Sequence, residues 1–493
     1  MQTGRKEIIN SQVVVIGSGA SGLGAALTAA EGGLKVILLE KRLRVGGTSN
    51  FAEGMFAVES DMQREKYISY TRDQAFKNIM DYSHWRANPR LVRAFVDKSA
   101  STIAWLQRQG VEFVEVTNNM PEGFRTWHVL KGPTRARGSA LTKILLARAK
   151  EKGVTLWLAT EAKKIIKKGD RISGVIAEKE GKTWQINAKT VIIASGGYAN
   201  NKEWVKKYTG LDLGVHVFPI GNVGKMGDGI RMAWEAGAAE EGMGILHLFR
   251  IGPMGRGVRM LGHPECATLQ PDLWVDQRGE RFCDESIAFN DTFEGNAHSR
   301  LREGYSYTIF DEAAKQYMVE YGIEKGAAYK NLPGTRLINF DKELKVALEK
   351  GNPDVFVAGS IEDLARKIKV DPKVLKATVD EYNRFFEQGH DDLFAKDPKY
   401  LRPLKRPNFY AMRAHAIMLG TLGGIKINHR TEVLDKEEKV IPGLYAIGID
   451  ASGLYGDCYN FMYSSGATLG FAVNSGRMAG GNALSYITGA NIA

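Results

Sequence analysis

Three glycines, Gly17, Gly19 and Gly22, follow the uncharged β-branched run at residues 12–16 with the spacing G-x-G-x-x-G. At that spacing Gly17 permits a tight turn and Gly19 lets the backbone approach a pyrophosphate. Gly22 lets the following helix, opening at Ala20, pack closely on a strand. Free N–H groups at the helix start then face the diphosphate charge. Glu40 follows Gly17 by 23 residues, at the end of a second buried run, where a carboxylate accepts from both ribose hydroxyls. This acid predicts an adenosine without a 2′-phosphate, and Lys41 beside it is a further candidate contact. A second group lies near the C-terminus, where Tyr455, Tyr459, Phe461 and Tyr463 crowd a Gly-, Ser- and Asp-containing loop. No lysine or arginine stands between residues 448 and 476. Tyrosine hydroxyls, with an ordinary pKa of about 10, are the local groups able to bond a carbonyl oxygen and donate a proton near neutrality.

Composition narrows the setting. The three cysteines, Cys266, Cys283 and Cys458, form no CxxC pair, so neither a disulfide framework nor a haem or iron–sulfur attachment is predicted. The formal charge of +11 is scattered rather than gathered in one basic arm, which argues against a nucleic-acid partner. Glycines and charged residues break every apolar stretch well before the roughly 20 residues a membrane helix needs. The polar residues 1–10 carry no leader signal. A cytoplasmic protein with no metal centre is expected.

The elements that must position these groups read as α/β. Residues 12–16, a helix from 20 to 31 and residues 34–39 make one βαβ unit. Helical periodicity runs from 71 to 98 with Pro89 at a helix start, and another helix spans 101–109 before Gly110. Strands follow at 154–158, 161–167 and 171–178, the last two turning at Gly169-Asp170. Residues 190–194 form a buried strand running into Gly196-Gly197. The texture changes between about 248 and 410, then returns with a strand at 444–448 and a closing helix at 467–483. This order predicts a discontinuous Rossmann-type domain, residues 1–246 and 421–493, with an inserted α+β capping domain at 247–420.

Several blocks resemble the flavoprotein family of fumarate reductase and the succinate dehydrogenase flavoprotein subunit. They are Gly46-Gly47-Thr48-Ser49-Asn50, Ser195-Gly196-Gly197, Gly227-Asp228-Gly229, Gly279-Glu280-Arg281-Phe282 with Glu285, Pro442-Gly443-Leu444-Tyr445-Ala446, and Gly476-Arg477-Met478-Ala479-Gly480. The resemblance implies FAD, with Thr48 and Ser49 near the isoalloxazine ring and the Ala162 backbone at the adenine. It implies that Asp450 reaches the ribityl or phosphate groups, and that amides around Gly466, Ala467 and Thr468 face the flavin pyrimidine edge. Because residues 46–50 lack the histidine that covalently flavinylated members carry, the FAD is expected to be non-covalent.

Set against the family's dicarboxylate site, Phe289 stands at the proton-donating arginine, Glu265 matches the relay glutamate, and Thr268 stands for its arginine companion. Tyr459 or Tyr463 stands at the substrate arginine, so fumarate reduction is expected to be excluded. The loop ending in Gly466-Ala467-Thr468 is also similar to that of 3-ketosteroid dehydrogenases. The resulting expectation is hydride transfer between flavin N5 and a carbon–carbon bond conjugated to a carbonyl. Tyr459 or Tyr463 would be the donor, Tyr455 the carbonyl's partner, and Glu265 either a relay remnant or a solvated carboxylate. The substrate would be small and neutral or aromatic, and the electron donor or acceptor a separate molecule. A flavin oxidase or amine-oxidising enzyme, and a non-catalytic protein stabilised by FAD, stand as alternatives. Should the tyrosines fail, His247, His263 and Arg300 on the inserted lobe are the next candidate donors.

Overall fold

The computed structural model describes residues 7–118, 120 and 123–490. The first six residues of the polar start, read above as carrying no leader, lie outside them. The chain divides into two compact units, one made of residues 1–210, 221–247 and 419–493, the other of residues 211–220 and 248–418.

The first unit is built on a six-stranded sheet in the order Glu432–Leu434, Val440–Ala446, Thr190–Ile193, Val13–Ile16, Val36–Leu39 and Thr155–Trp157. All neighbours pair in parallel except the first two. The strands Val13–Ile16, Val36–Leu39 and Thr190–Ile193 are buried at every residue, as parallel strands covered on both faces must be. The helix Ala20–Glu31 begins where the glycine spacing places it. It packs against the closing helix Ala467–Thr488 at a contact that only small residues allow. A Cβ at Gly476 would stand 2.4 Å from the Ser21 carbonyl oxygen, and one at Gly480 would stand 2.7 Å from that of Ala25. A second sheet joins Glu7–Asn10, Lys182–Asn187, Arg171–Lys179 and Thr160–Lys168. The helical stretch expected from 71 to 98 is two helices, Arg72–Tyr82 and Pro89–Gln109. Asn88 caps the second by accepting from Arg90 and Leu91 N–H, and Gly110 ends it in the left-handed region. No break separates residues 98 and 101, because buried side chains continue along one face at Val92, Phe95, Val96, Thr102, Ile103 and Leu106.

In the second unit the strand Tyr305–Asp311 pairs antiparallel with residues 409–415 of the long strand Phe409–Thr421, and Val355–Ala358 pairs with residues 409–412. Phe218–Pro219 pairs in parallel with Ile417–Met418, which draws residues 211–220 into this unit. The helices Ile361–Ile368 and Pro372–Gln388 bury Leu364, Ile368, Leu375 and Phe385 in a core with Leu273, Val275 and Ile309. A buried ion cluster pins this core. Arg281 bonds both Glu285 and Asp391, and Lys396 reaches Glu285 at 3.3 Å and donates to the Tyr382 hydroxyl. Removing one partner of such a cluster strands a charge away from water, so it fixes the chain path even where its net stabilisation is small.

Among the described residues no helix is long and apolar enough to cross a membrane. The helix contact gives a direct test of packing. Gly476→Ala should destabilise the chain by about 1–3 kcal/mol through overpacking. Gly481→Ala, with no atom within 4 Å of its Cβ, should stabilise it by about 0.5–1 kcal/mol through helix propensity. Thermal unfolding midpoints moving in opposite directions for the two variants is the expected result.

Candidate functional site

The turn between Val13–Ile16 and Ala20–Glu31 is held by backbone approaches too close for any side chain. Gly17 has φ +105°, and a Cβ there would stand 2.2 Å from the Ala194 carbonyl oxygen; at Gly22 it would stand 1.9 Å from that of Gly17. Gly19 differs. Its nearest neighbour would be Ser49 Oγ at 3.5 Å, so the missing side chain leaves open space in front of the helix start. No side chain of Gly19 caps that helix and its first turn holds no acid, while Ser49 Oγ accepts from Ala20 N–H. First-turn N–H groups without intrahelical acceptors are what a diphosphate needs, so the residues present fit the cofactor the motif implies.

Glu40 is buried at the end of Val36–Leu39 and is oriented by this same turn. Ser18 donates to Oε2 from both its N–H and its hydroxyl, at 3.1 and 2.6 Å, and Arg42 N–H donates to Oε1 at 2.9 Å. Remaining lone pairs are left for ribose hydroxyls. The block 46–50 is fixed by Gly46 N–H donating to Ser18 O and by Thr142 donating to Asn50. It forms the 3-10 helix Gly47–Phe51. Ala162 is buried in the strand Thr160–Lys168.

Four candidate contacts are spent within the protein. Thr48 Oγ1 donates to Gly221 O at 2.9 Å, and Lys41 pairs with Asp228 at 2.5 Å. Asp450, expected to reach the cofactor, instead accepts from Gly196 and Gly197 N–H at 2.9 and 2.7 Å and from the Ser195 hydroxyl at 3.1 Å. Its carboxyl pKa is raised by burial, a shift these donors oppose. The carboxylate therefore sets the shape of the Ser195-Gly196-Gly197 turn.

The aromatic residues separate into two groups. Tyr459 stacks on His247 with ring centres 3.7 Å apart, Tyr455 lies 5.6 Å from it and Phe461 5.0 Å. Tyr463 packs instead against Tyr82 and Phe124. His247, expected on the inserted lobe, falls in the first unit. Burial, and then the charge of Lys225, lowers its pKa to about 3, so the ring stacked on Tyr459 is neutral. Burial pushes Tyr459 up to about 12, against the pull of N–H groups from Thr468, Ala467 and Gly466. The amides expected to face a flavin edge thus meet the Tyr459 oxygen, because the loop folds its ring onto the helix start. Tyr455 is buried, its pKa driven well up, and its hydroxyl has no partner among the described residues. An unmet buried hydroxyl costs about 1–3 kcal/mol, a deficit a ligand oxygen would remove.

In the second unit Glu265 is buried and accepts from Leu261 N–H at 2.5 Å, which rules out a solvated carboxylate. Phe289 ends the short helix Glu285–Phe289 and rests on Tyr400. Sequence reasoning passed over Lys225, a buried lysine in a glycine-rich loop; no spacing rule marks such a residue.

A parallel sheet, a glycine turn at a helix start, and a ribose-directed acid define a dinucleotide-binding domain of the flavoprotein kind, interrupted in sequence by a second unit. The chain belongs to the FAD binding domain family, which matches residues 12–462, and is an FAD-dependent oxidoreductase of the fumarate reductase–succinate dehydrogenase superfamily. It is 35% identical over 487 residues to a vinyl phenol reductase of Lactiplantibacillus plantarum, covering 96% of each chain. It is 28% identical over 481 residues to a fumarate reductase (cytochrome) of Shewanella frigidimarina, covering 96% of this chain and 77% of that one. In fold it is similar to a 3-ketosteroid Δ1-dehydrogenase of Sterolibacterium denitrificans, with a TM-score of 0.76 at 20% identity, covering 97% and 99% of the chains. The fumarate reductase similarity overturns the expectation that fumarate reduction is excluded. That expectation rested on counting single positions, Phe289, Tyr459 and Tyr463, partly across a loop of different length, whereas the similarity runs through nearly the whole chain.

The cradle makes a distinction that binding experiments resolve. Gly19→Val should leave the chain folded but colourless, because its side chain enters only the space in front of the helix. Gly22→Val should unfold it, because its side chain meets backbone. Circular dichroism, together with FAD measured in the purified variants, checks both.

Proposed function

We propose that the chain reduces a carbon–carbon double bond conjugated to a phenol ring, using non-covalently held FAD and electrons from a separate donor. The observation that carries this reading is the 35% identity to a vinyl phenol reductase along 96% of both chains. The cluster of Tyr455, Tyr459, Phe461 and His247 supports it, since stacked and edge-on rings offer a face that an aromatic substrate matches.

Reduced FAD, when bound, would supply a hydride, two electrons with one proton; the chain supplies position and the second proton. The substrate's phenolic oxygen needs a hydrogen-bonding partner, and the unmet Tyr455 hydroxyl provides one. The double bond needs a proton to accompany the electrons. Tyr459 is the better placed of the two tyrosines considered, because it sits with Tyr455 and His247. After donation its oxyanion would lie against the N–H groups that begin Ala467–Thr488, which offset part of the burial that disfavours negative charge there. Neutral His247 beneath the ring adds no charge of its own. The buried cluster also excludes water that would compete for the phenolic oxygen.

Anaerobic photoreduction of the FAD-loaded protein followed by mixing tests the reading. 4-Vinylphenol should reoxidise the flavin and yield one 4-ethylphenol per flavin, faster than fumarate at the same concentration. No reoxidation by 4-vinylphenol, or faster reoxidation by fumarate, overturns it. Tyr455→Phe should leave the unfolding midpoint unchanged or raised, since it removes an unmet hydroxyl. The same substitution should weaken phenol binding by roughly 5- to 10-fold, the value of one neutral hydrogen bond. Calorimetry and single-turnover titrations measure the two effects.

A further inference from the structure

Lys225 is a buried amine that no side chain answers. It is 6% exposed, and its Nζ forms no hydrogen bond or ion pair among the described residues. The backbone around it is locked. Asn200 Oδ1 accepts from Lys225 N–H at 2.9 Å, and Asn200 N–H donates to Lys225 O at 2.9 Å. The side chain runs past two glycines: a Cβ at Gly196 would stand 3.3 Å from Lys225 Cε, and one at Gly420 would stand 3.9 Å from Nζ. The amine thus lies along the Ser195-Gly196-Gly197 turn, at positions that carry no side chain to fill the space beside it.

Asp450 is the carboxylate whose charge acts on it, and that carboxylate is shared with other donors, Ser195, Gly196 and Gly197. His247 is neutral, and the Tyr459 oxygen beyond it meets the helix amides. A buried ammonium whose only carboxylate is shared with other donors is costly, and the chain has two ways to relieve it: release of the proton or arrival of an anion. Burial brings the amine down to about 7, against the pull of Asp450, so near neutrality the two forms are close in energy. An arriving anion then selects the ammonium.

We propose that Lys225 is the counter-ion for a delocalised aromatic oxyanion bound in the first unit. Two sources present that chemistry: the phenolate of a vinyl phenol, which rests on the function proposed above, and the anionic ring system of reduced FAD. Lys225 is placed among groups the cofactor domain itself supplies, Gly196, Asp450 and His247. A phenolate bonded to the ammonium would be favoured over its neutral phenol. An anionic reduced flavin at the same charge would raise the cofactor's midpoint potential.

FAD-loaded wild type, Lys225→Met and Lys225→Arg separate the sources by two measurements made without turnover. The first is titration with 4-nitrophenol, whose visible absorbance reports its own ionisation. The second is the flavin midpoint potential from dye-equilibrated reduction. If the phenolate is the partner, wild type binds 4-nitrophenol in the ionised form, Lys225→Met binds it roughly 10- to 100-fold more weakly, and Lys225→Arg recovers most of the loss. If the reduced flavin is the partner, the potential falls in Lys225→Met and returns in Lys225→Arg, while 4-nitrophenol affinity holds. Lys225→Met with both quantities at wild-type values overturns the proposal; should that variant fail to retain FAD, Lys225→Gln takes its place in both measurements. Wild type that binds no phenol at all counts against the vinyl phenol reading alone, and the potential then decides Lys225.

Discussion

Everything in the first unit depends on one approach of backbone to backbone. The turn after Val13–Ile16 presses Gly17 onto the Ala194 carbonyl and Gly22 onto Gly17 itself, at distances no Cβ survives. That contact fixes where Ala20–Glu31 begins, and hence where its N–H groups point. It also ties the Gly17 turn to the strand Thr190–Ile193, which continues into the Ser195-Gly196-Gly197 turn, so the diphosphate end and the Asp450 end of the cradle cannot shift independently. The closing helix is held by the same means, with Gly476 and Gly480 against Ser21 and Ala25. A site made of main-chain contacts is rigid without relying on side-chain rotamers, and that rigidity lets the N–H groups act as fixed partial charges.

The electrostatics of this unit follow from which polar groups are answered. Asp450 is answered by backbone donors, Glu40 by Ser18 and Arg42, and Tyr459 by a helix start. Tyr455 is not. Native interiors leave few polar groups unmet, because each costs a substantial fraction of a domain's net stability.

Periodicity and glycine spacing made most of the fold legible. The buried strands are runs of Val and Ile, the first helix opens at the glycine turn, and the Gly169-Asp170 turn joins two strands that form as read, Thr160–Lys168 and Arg171–Lys179. The site was less legible, because side-chain destinations depend on contacts far apart in sequence. Asp450 bonds residues more than 250 positions away, and nothing at positions 448–452 signals that its oxygens are taken. Tyr459 and Tyr463 are alike in a local reading. They diverge because one ring meets His247, over 200 positions earlier, and the other meets Tyr82 and Phe124. Lys225 carries no motif at all, and its meaning comes only from burial.

A phenol and a dicarboxylate place opposite demands on a pocket, one needing aromatic surface and a single oxygen partner, the other fixed positive charge at two ends. Yet vinyl phenol reductase and fumarate reductase are both similar to this chain along 96% of its length. The common part must then be the part indifferent to substrate: the glycine turns, the helix starts and the buried acid that orients a ribose. Discrimination is left to a few side chains laid on that frame, and hydrogen bonding discriminates more sharply than shape, since a buried group left unpaired penalises the wrong ligand directly. Among the described residues the Tyr455 hydroxyl is one group open to such pairing. That hydroxyl suits one oxygen attached to a ring, the feature that the proposed substrate presents and a dicarboxylate lacks.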